Sequence, residues 1–329
     1  MSFPARMWPP MPVVSEGDLL NALRPRATLC SGYVLDRLIW EEGAAQVWRG
    51  RDEVRSTEVA IKIRRSSPFE RDAWTDRFRW EAEWASQLAH PHIVAVLCAG
   101  HHDDVSFLVR EYDPGPTLQQ VLAEHCPVPP EVVRRILVQV AMALGWAHSL
   151  GIVHHGVRPS NVLMTATSGA KLMDFHPPAV TEKRRVSPTA QLESTGAYAS
   201  PEQALGQPVT AESDFYALGA VGYELLSGRP AFERSLPIAA TLATIELPPP
   251  PLPEDVPADL TALIERCLAK DPQERPSRAS AIVAALVGAP GESQSPPDEE
   301  RETVVPGLDR ADGAAAPSPE AARRWSAWW

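Results

Sequence analysis

Apolar and polar residues follow two different periods along this chain. Tyr33-Val34-Leu35-Asp36-Arg37-Leu38-Ile39, Gln46-Val47-Trp48-Arg49-Gly50 and Val59-Ala60-Ile61-Lys62-Ile63 are short strand-like runs separated by polar turns. They predict three antiparallel strands joined by hairpins. Further on, apolar side chains recur at Val132, Ile136, Leu137, Val140, Ala141, Leu144 and Ala147. That spacing predicts a buried amphipathic helix from Glu131 to Leu150. A polar stretch from His154 to Asn161 then precedes the apolar Val162-Leu163-Met164, giving a loop held between a helix and a short strand. Loops fixed in this way by buried elements are where chemistry is usually placed.

Both ends break the pattern. Residues 1–30 are rich in proline, with one short apolar turn at Leu19 to Leu23, and are read as a flexible arm. Residues 289–329 turn Ser-, Pro- and charge-rich and are read as a disordered tail, with the acidic run Asp298 to Glu302 before Thr303 and a Trp-rich end at Trp325, Trp328 and Trp329. Exposed tryptophans of that kind bind a partner or pack back on their own domain, so the tail is the expected route to a protein partner.

Composition narrows the function. A chain of 329 residues with 44% hydrophobic content has ample material for a core. A formal charge of −11 and a pI near 5.3 argue against nucleic acid, which needs clustered Lys and Arg. Cys30, Cys98, Cys126 and Cys267 are scattered without metal spacing, the pattern of a reduced, cytoplasmic protein with buried thiols. The longest apolar runs, Ile136 to Ala147 and Ala279 to Ala289, fall short of the roughly 18 residues of a spanning helix, so no transmembrane segment is expected.

The candidate chemistry carries a resemblance. Val59-Ala60-Ile61-Lys62, Ala89-His90-Pro91-His92-Ile93-Val94, the loop from His154 to Asn161, Lys171-Leu172-Met173-Asp174-Phe175 and Ser200-Pro201-Glu202 stand in an order and spacing that resemble the bacterial serine/threonine protein kinases of eukaryotic type, over about residues 31–288. The resemblance implies an α+β, bilobal fold: a small antiparallel-sheet lobe with one main helix, and a mainly helical large lobe. It implies ATP and Mg²⁺ as cofactors. Lys62 would hold the phosphates and pair with Glu81, with Glu83 as a competing partner. Val47, Ala60 and Leu163 would enclose the base, Glu111 would sit in the hinge, and Asn161 and Asp174 would ligate Mg²⁺. Glu202 would pair with Arg275, and Asp214 would anchor the loop backbone.

Several residues depart from that family's pattern. Its proton-accepting Asp is Gly156, so no catalytic residue is assigned, and Arg158 stands at the position of the loop's Lys. The phosphate-loop glycines are Trp40, Glu42 and Ala45; a Glu aimed at triphosphate repels it, and a Trp covers or fills the cleft, unless the loop swings away. His176 replaces the glycine after Asp174-Phe175. His155 replaces the Arg that would pair with a phosphate on Ser187, Thr189, Ser194 or Thr195. Arg110 stands behind the base pocket; turned inward, it needs Glu81 or Asp174 and competes with Lys62 or with Mg²⁺, and turned outward it does nothing. The reading that follows is a catalytically impaired pseudokinase acting as a signalling scaffold or allosteric regulator. A low-activity or atypical serine/threonine kinase and a nucleotide-sensing switch are the alternatives.

Overall fold

The period-two segments pair as their alternation requires. In the computed structural model, which describes residues 28–29, 32–42, 45–65, 83–84, 87–102, 105–175, 196–232 and 237–287, six strands form one antiparallel sheet. They are β1 (Thr28–Leu29), β2 (Tyr33–Glu42), β3 (Ala45–Asp52), β4 (Thr57–Arg65), β5 (Val96–His102) and β6 (Val105–Glu111), in the spatial order β1-β2-β3-β4-β6-β5. The two residues of β1 pair with the start of β2, so ordered sheet begins inside the segment read as a flexible arm.

Alternation then sorts the sheet's two faces. Leu35, Trp48, Val59, Ile61, Ile63, Val105, Phe107 and Val109 form the small lobe's own core. Their neighbours Val47, Ala60, Lys62, Leu108 and Arg110 therefore lie on the other face, and the register sets Val47 opposite Lys62, Lys62 opposite Leu108, and Ala60 opposite Arg110. Lys62 and Arg110 are brought together by strand pairing across 48 positions of sequence.

The larger lobe is helical: α1 (Leu118–Glu124), α2 (Pro130–Ser149), α3 (Pro201–Ala204), α4 (Ala211–Ser227), α5 (Pro237–Glu246), α6 (Ala258–Cys267) and α7 (Ala279–Val287). Proline at its first position and Glu131 in its first turn suit the start of α2. Val133, Ile136, Leu137, Val140, Ala141, Leu144 and Ala147 are buried along it, which is the stripe read from the sequence with Val132 at its edge. Each large side chain so buried contributes roughly 1.5–3 kcal/mol. Helix α4 is buried from Ser213 to Leu226 and ends at Gly228, whose φ of +75° suits a residue without a Cβ. No described helix is long and apolar enough to cross a membrane. Of the described cysteines Cys267 is buried, Cys98 is partly so and Cys126 is exposed, so the expectation of buried thiols holds in full for Cys267 alone.

Between the lobes the hinge, residues 112–116, lies against the hairpin of β7 (Val162–Thr165) and β8 (Gly169–Leu172). Pro116 O accepts from Met164 N at 2.8 Å. Gly115 is required here: a Cβ would stand 1.7 Å from the Met164 carbonyl oxygen.

Candidate active site

The loop from His154 to Asn161 leaves α2 and is pinned from below by one carboxylate. Asp214, 1% exposed near the start of α4, accepts from His154 N at 2.7 Å, His155 N at 3.0 Å and His148 Nε2 at 2.8 Å. Three donors on one buried carboxylate fix the loop's backbone and hold His155 at a φ of +64°. The anchoring role expected of Asp214 is met. His148, in the last turn of α2, is a positioning residue that the sequence reading missed; a polar side chain closing an otherwise buried helix was the available signal.

Inside the loop each polar group has a structural task. His154 is fully buried; its Nδ1 accepts from Gly156 N at 3.1 Å and its Nε2 donates to Met173 O at 3.0 Å, which specifies the neutral ring with the proton on Nε2. Burial pushes its pKa down to about 4. Its ring lies 4.4 Å from that of Phe175, tying the loop to the segment after β8. Asn161 Nδ2 donates to Gly156 O at 2.8 Å. Among the described residues its Oδ1 has no hydrogen-bond partner, which makes it the atom of Asn161 open to a ligand. Gly156 itself is buried and is not among the glycines with a positive φ, so its backbone does not call for the left-handed conformation that favours glycine.

Above the loop, three charged groups meet. Asp174, with a φ of +63°, accepts from Lys62 Nζ at 2.8 Å on Oδ2 and from Arg110 Nη1 at 3.0 Å on Oδ1. Arg110 points inward and is 8% exposed, in a pocket lined by Leu88, Ile93, Val94, Val96, Met173 and Phe175. Of the two carboxylates the sequence offered it, Arg110 takes Asp174. Glu81 lies outside the described residues, as does His176, and Glu83 is exposed. A divalent ion would have to displace Arg110 to reach Oδ1 and would stand beside two cations, so this arrangement of Asp174 does not fit Mg²⁺.

The walls of the cleft follow from the sheet. Val47 and Ala60 share the face of Lys62, as expected of residues enclosing a base. Leu163, half-buried in β7, stands on the strand face opposite to Val162, which is in the core. The side chain of Glu111 is turned away to Lys171 Nζ at 2.7 Å and to Ala95 N at 3.0 Å, and its backbone N–H donates to Ala95 O at 2.9 Å. Trp40 pairs opposite Val47, on the cleft side of the sheet, and is 44% exposed, which makes it a roof and not a plug. Gly43 and Ala44, at the tip of that hairpin, lie outside the described residues.

Away from the cleft, Glu202 and Arg275 form the expected buried pair, at 2.7 and 2.9 Å. Arg275 also donates to the carbonyls of Ala269, Glu212 and Lys270, so all five of its N–H groups are used. Its guanidinium lies over the ring of Tyr216, 4.9 Å from the centroid.

Residues 33–286 match the protein kinase domain family. The chain is 35% identical over 305 residues to the serine/threonine-protein kinase PknA of Mycobacterium tuberculosis, covering 91% of this chain and 70% of that protein. It is 33% identical over 291 residues to the serine/threonine-protein kinase PknB of Mycobacterium leprae, covering 86% of this chain and 46% of that protein, so it spans less than half of that relative's length. Among solved structures, the PknI kinase domain of Mycobacterium tuberculosis superposes with a TM-score of 0.63 at 27% identity, covering 81% of this chain and 98% of that one. Relatives in this family generally use ATP and Mg²⁺. A two-lobed fold, a pinned loop between the lobes and a match across nearly all the described residues lead to one conclusion: the chain belongs to the protein kinase family.

Proposed function

We propose that this protein is a catalytically impaired kinase, a pseudokinase that acts as a signalling scaffold or allosteric regulator. The observation that carries the reading is the loop itself: its backbone is held by Asp214, His154 and Asn161, yet the position of the proton acceptor is Gly156. Phosphoryl transfer is catalysed by positioning and charge, and a missing general base typically costs about 10²- to 10⁴-fold. The bridging of Asp174 by Lys62 and Arg110 adds a second impairment, because it withdraws the acid that would hold a metal beside the phosphates. With both changes in one cleft, useful transfer from ATP to a protein hydroxyl is not expected.

A second reading, a slow or atypical kinase, is favoured by the retention of Lys62, Glu81, Asn161 and Asp174 in the sequence. Both readings make the cleft a nucleotide site, and both give the Trp-rich tail at 325–329 the task of engaging a protein partner. They are separated by incubating the full chain with γ-labelled ATP and Mg²⁺, alone and with a generic protein substrate. The pseudokinase reading expects no incorporated label. Label that disappears in Lys62→Met would establish the slow enzyme instead.

A further inference from the structure

We infer that the cleft binds a nucleoside triphosphate without a divalent cation, with Arg110 supplying the positive charge that a metal would otherwise bring. This rests on the reading of the cleft as a nucleotide site. Three observations carry it.

The first is that both oxygens of Asp174 are occupied, Oδ2 by Lys62 Nζ and Oδ1 by Arg110 Nη1. Two cations therefore stand on one carboxylate in a protein of net charge −11. A divalent ion approaching the carboxylate is repelled by both cations, whereas a polyphosphate is attracted by them.

The second concerns the unused donors of Arg110. Its side chain is nine-tenths buried, yet Asp174 Oδ1 is its one hydrogen-bond partner among the described residues. Its remaining donors are not among the fully buried atoms left without a partner, so they stay in reach of the cleft's solvent, and a guanidinium with donors open on that side is matched to an anion that can accept several hydrogen bonds in one plane, as a phosphate does. Arg275, by contrast, closes all five N–H groups on protein oxygens.

The third is placement. Strand register sets Ala60 opposite Arg110 and Lys62 opposite Leu108, so the two cations project from adjacent strands on the sheet face that also carries Val47 and Ala60. A nucleotide between those residues presents its phosphates to Lys62 and is within the reach of the flexible arm of Arg110 once that arm swings from Asp174. The bond given up is a carboxylate–guanidinium pair and the bond gained is a phosphate–guanidinium pair, while Lys62 keeps Asp174 from being left unpaired.

The experiment titrates the full chain with ATP by calorimetry, once in excess EDTA and once in excess Mg²⁺, for wild type, Arg110→Met and Arg110→Lys. Wild type is expected to bind with affinities in the two conditions that agree within about threefold. Arg110→Met is expected to weaken binding in EDTA by about tenfold or more and to regain it with Mg²⁺, because removing the guanidinium frees Oδ1 for the ion. Arg110→Lys, which keeps the charge, is expected to fall between the two in EDTA. A Mn²⁺ titration followed by electron paramagnetic resonance supplies a second readout, with Mn²⁺ bound in the presence of ATP by Arg110→Met and not by wild type. Wild-type binding that is lost in EDTA overturns the inference, and so does EDTA binding unchanged in Arg110→Met. Absence of ATP binding in both conditions also overturns it, while the impaired-kinase reading still stands, since that reading falls only to Lys62-dependent label transfer.

Discussion

Arg275 and Arg110 are both buried guanidinium groups paired with a carboxylate, and they are finished in opposite ways. Arg275 in the large lobe meets Glu202 through Nη1 and Nη2, and the same two nitrogens together with Nε reach three backbone carbonyls. Arg110 in the cleft meets Asp174 through one nitrogen, on an acid it shares with Lys62. The first arrangement closes a structural joint, holding α3 to the turn after α6. The second leaves capacity for a ligand. The contrast separates two kinds of buried charge in this chain: Arg275 and Glu202 are closed on protein partners away from the cleft, and Arg110, Lys62 and Asp174 pair with one another inside it.

The largest effect is expected where the joint is closed. Arg275→Ala leaves Glu202 buried without its partner and should lower unfolding stability by about 3–5 kcal/mol. Urea denaturation followed by circular dichroism measures this, and a loss below about 1 kcal/mol would remove the distinction between joint and cleft.

Acidification probes the seam between the two regions. His154 has its pKa lowered to about 4 by burial, and His155 is shifted in the same direction by the same cause. Between pH 6.5 and 4 the unfolded chain takes up the His154 proton and the folded chain does not, so stability falls as pH falls through that window. The loss should be about 1 kcal/mol over the first pH unit below 6.5. Urea midpoints at pH 7 and 5.5 check it, and the dependence should flatten in His154→Leu.

The smallest effect is expected at Arg110. Arg110→Met puts an unbranched apolar side chain into a pocket that is already apolar and leaves Asp174 paired with Lys62, so stability should stay within about 1 kcal/mol of wild type. A loss as large as that of Arg275→Ala would mean that Arg110 is a structural joint after all.

Much of this was legible in the residues themselves. The strands and α2 follow from apolar period, because half-buried sheets and amphipathic helices impose it. The role of Asp214 and the pairing of Glu202 with Arg275 follow from motif spacing. That Arg110 needs a carboxylate also follows from sequence, since a buried guanidinium cannot be left alone. Which carboxylate it takes does not, because the choice between Glu81 and Asp174 depends on how the segment after β8 sits against the sheet. The bond between His148 and Asp214 and the ion pair between Lys171 and Glu111 were hidden for the same reason: each spans 60 or more positions and no local pattern announces it. The turn of Glu111 away from the cleft is the clearest case, since a motif assigns a position and only the tertiary structure assigns the direction of its side chain.

The central claim is that a kinase scaffold is intact while the chemistry of its cleft has been withdrawn at Gly156 and at Arg110. It is tested most directly by measuring label transfer from γ-labelled ATP with Mg²⁺ for wild type beside the double variant Gly156→Asp, Arg110→Met. Gly156 does not have the positive φ that favours glycine, and the second substitution frees Oδ1 of Asp174. The account predicts no transfer by wild type and transfer by the double variant, at least about tenfold above background and lost again with Lys62→Met. Transfer by wild type at the level of the double variant, abolished by Lys62→Met, would contradict it.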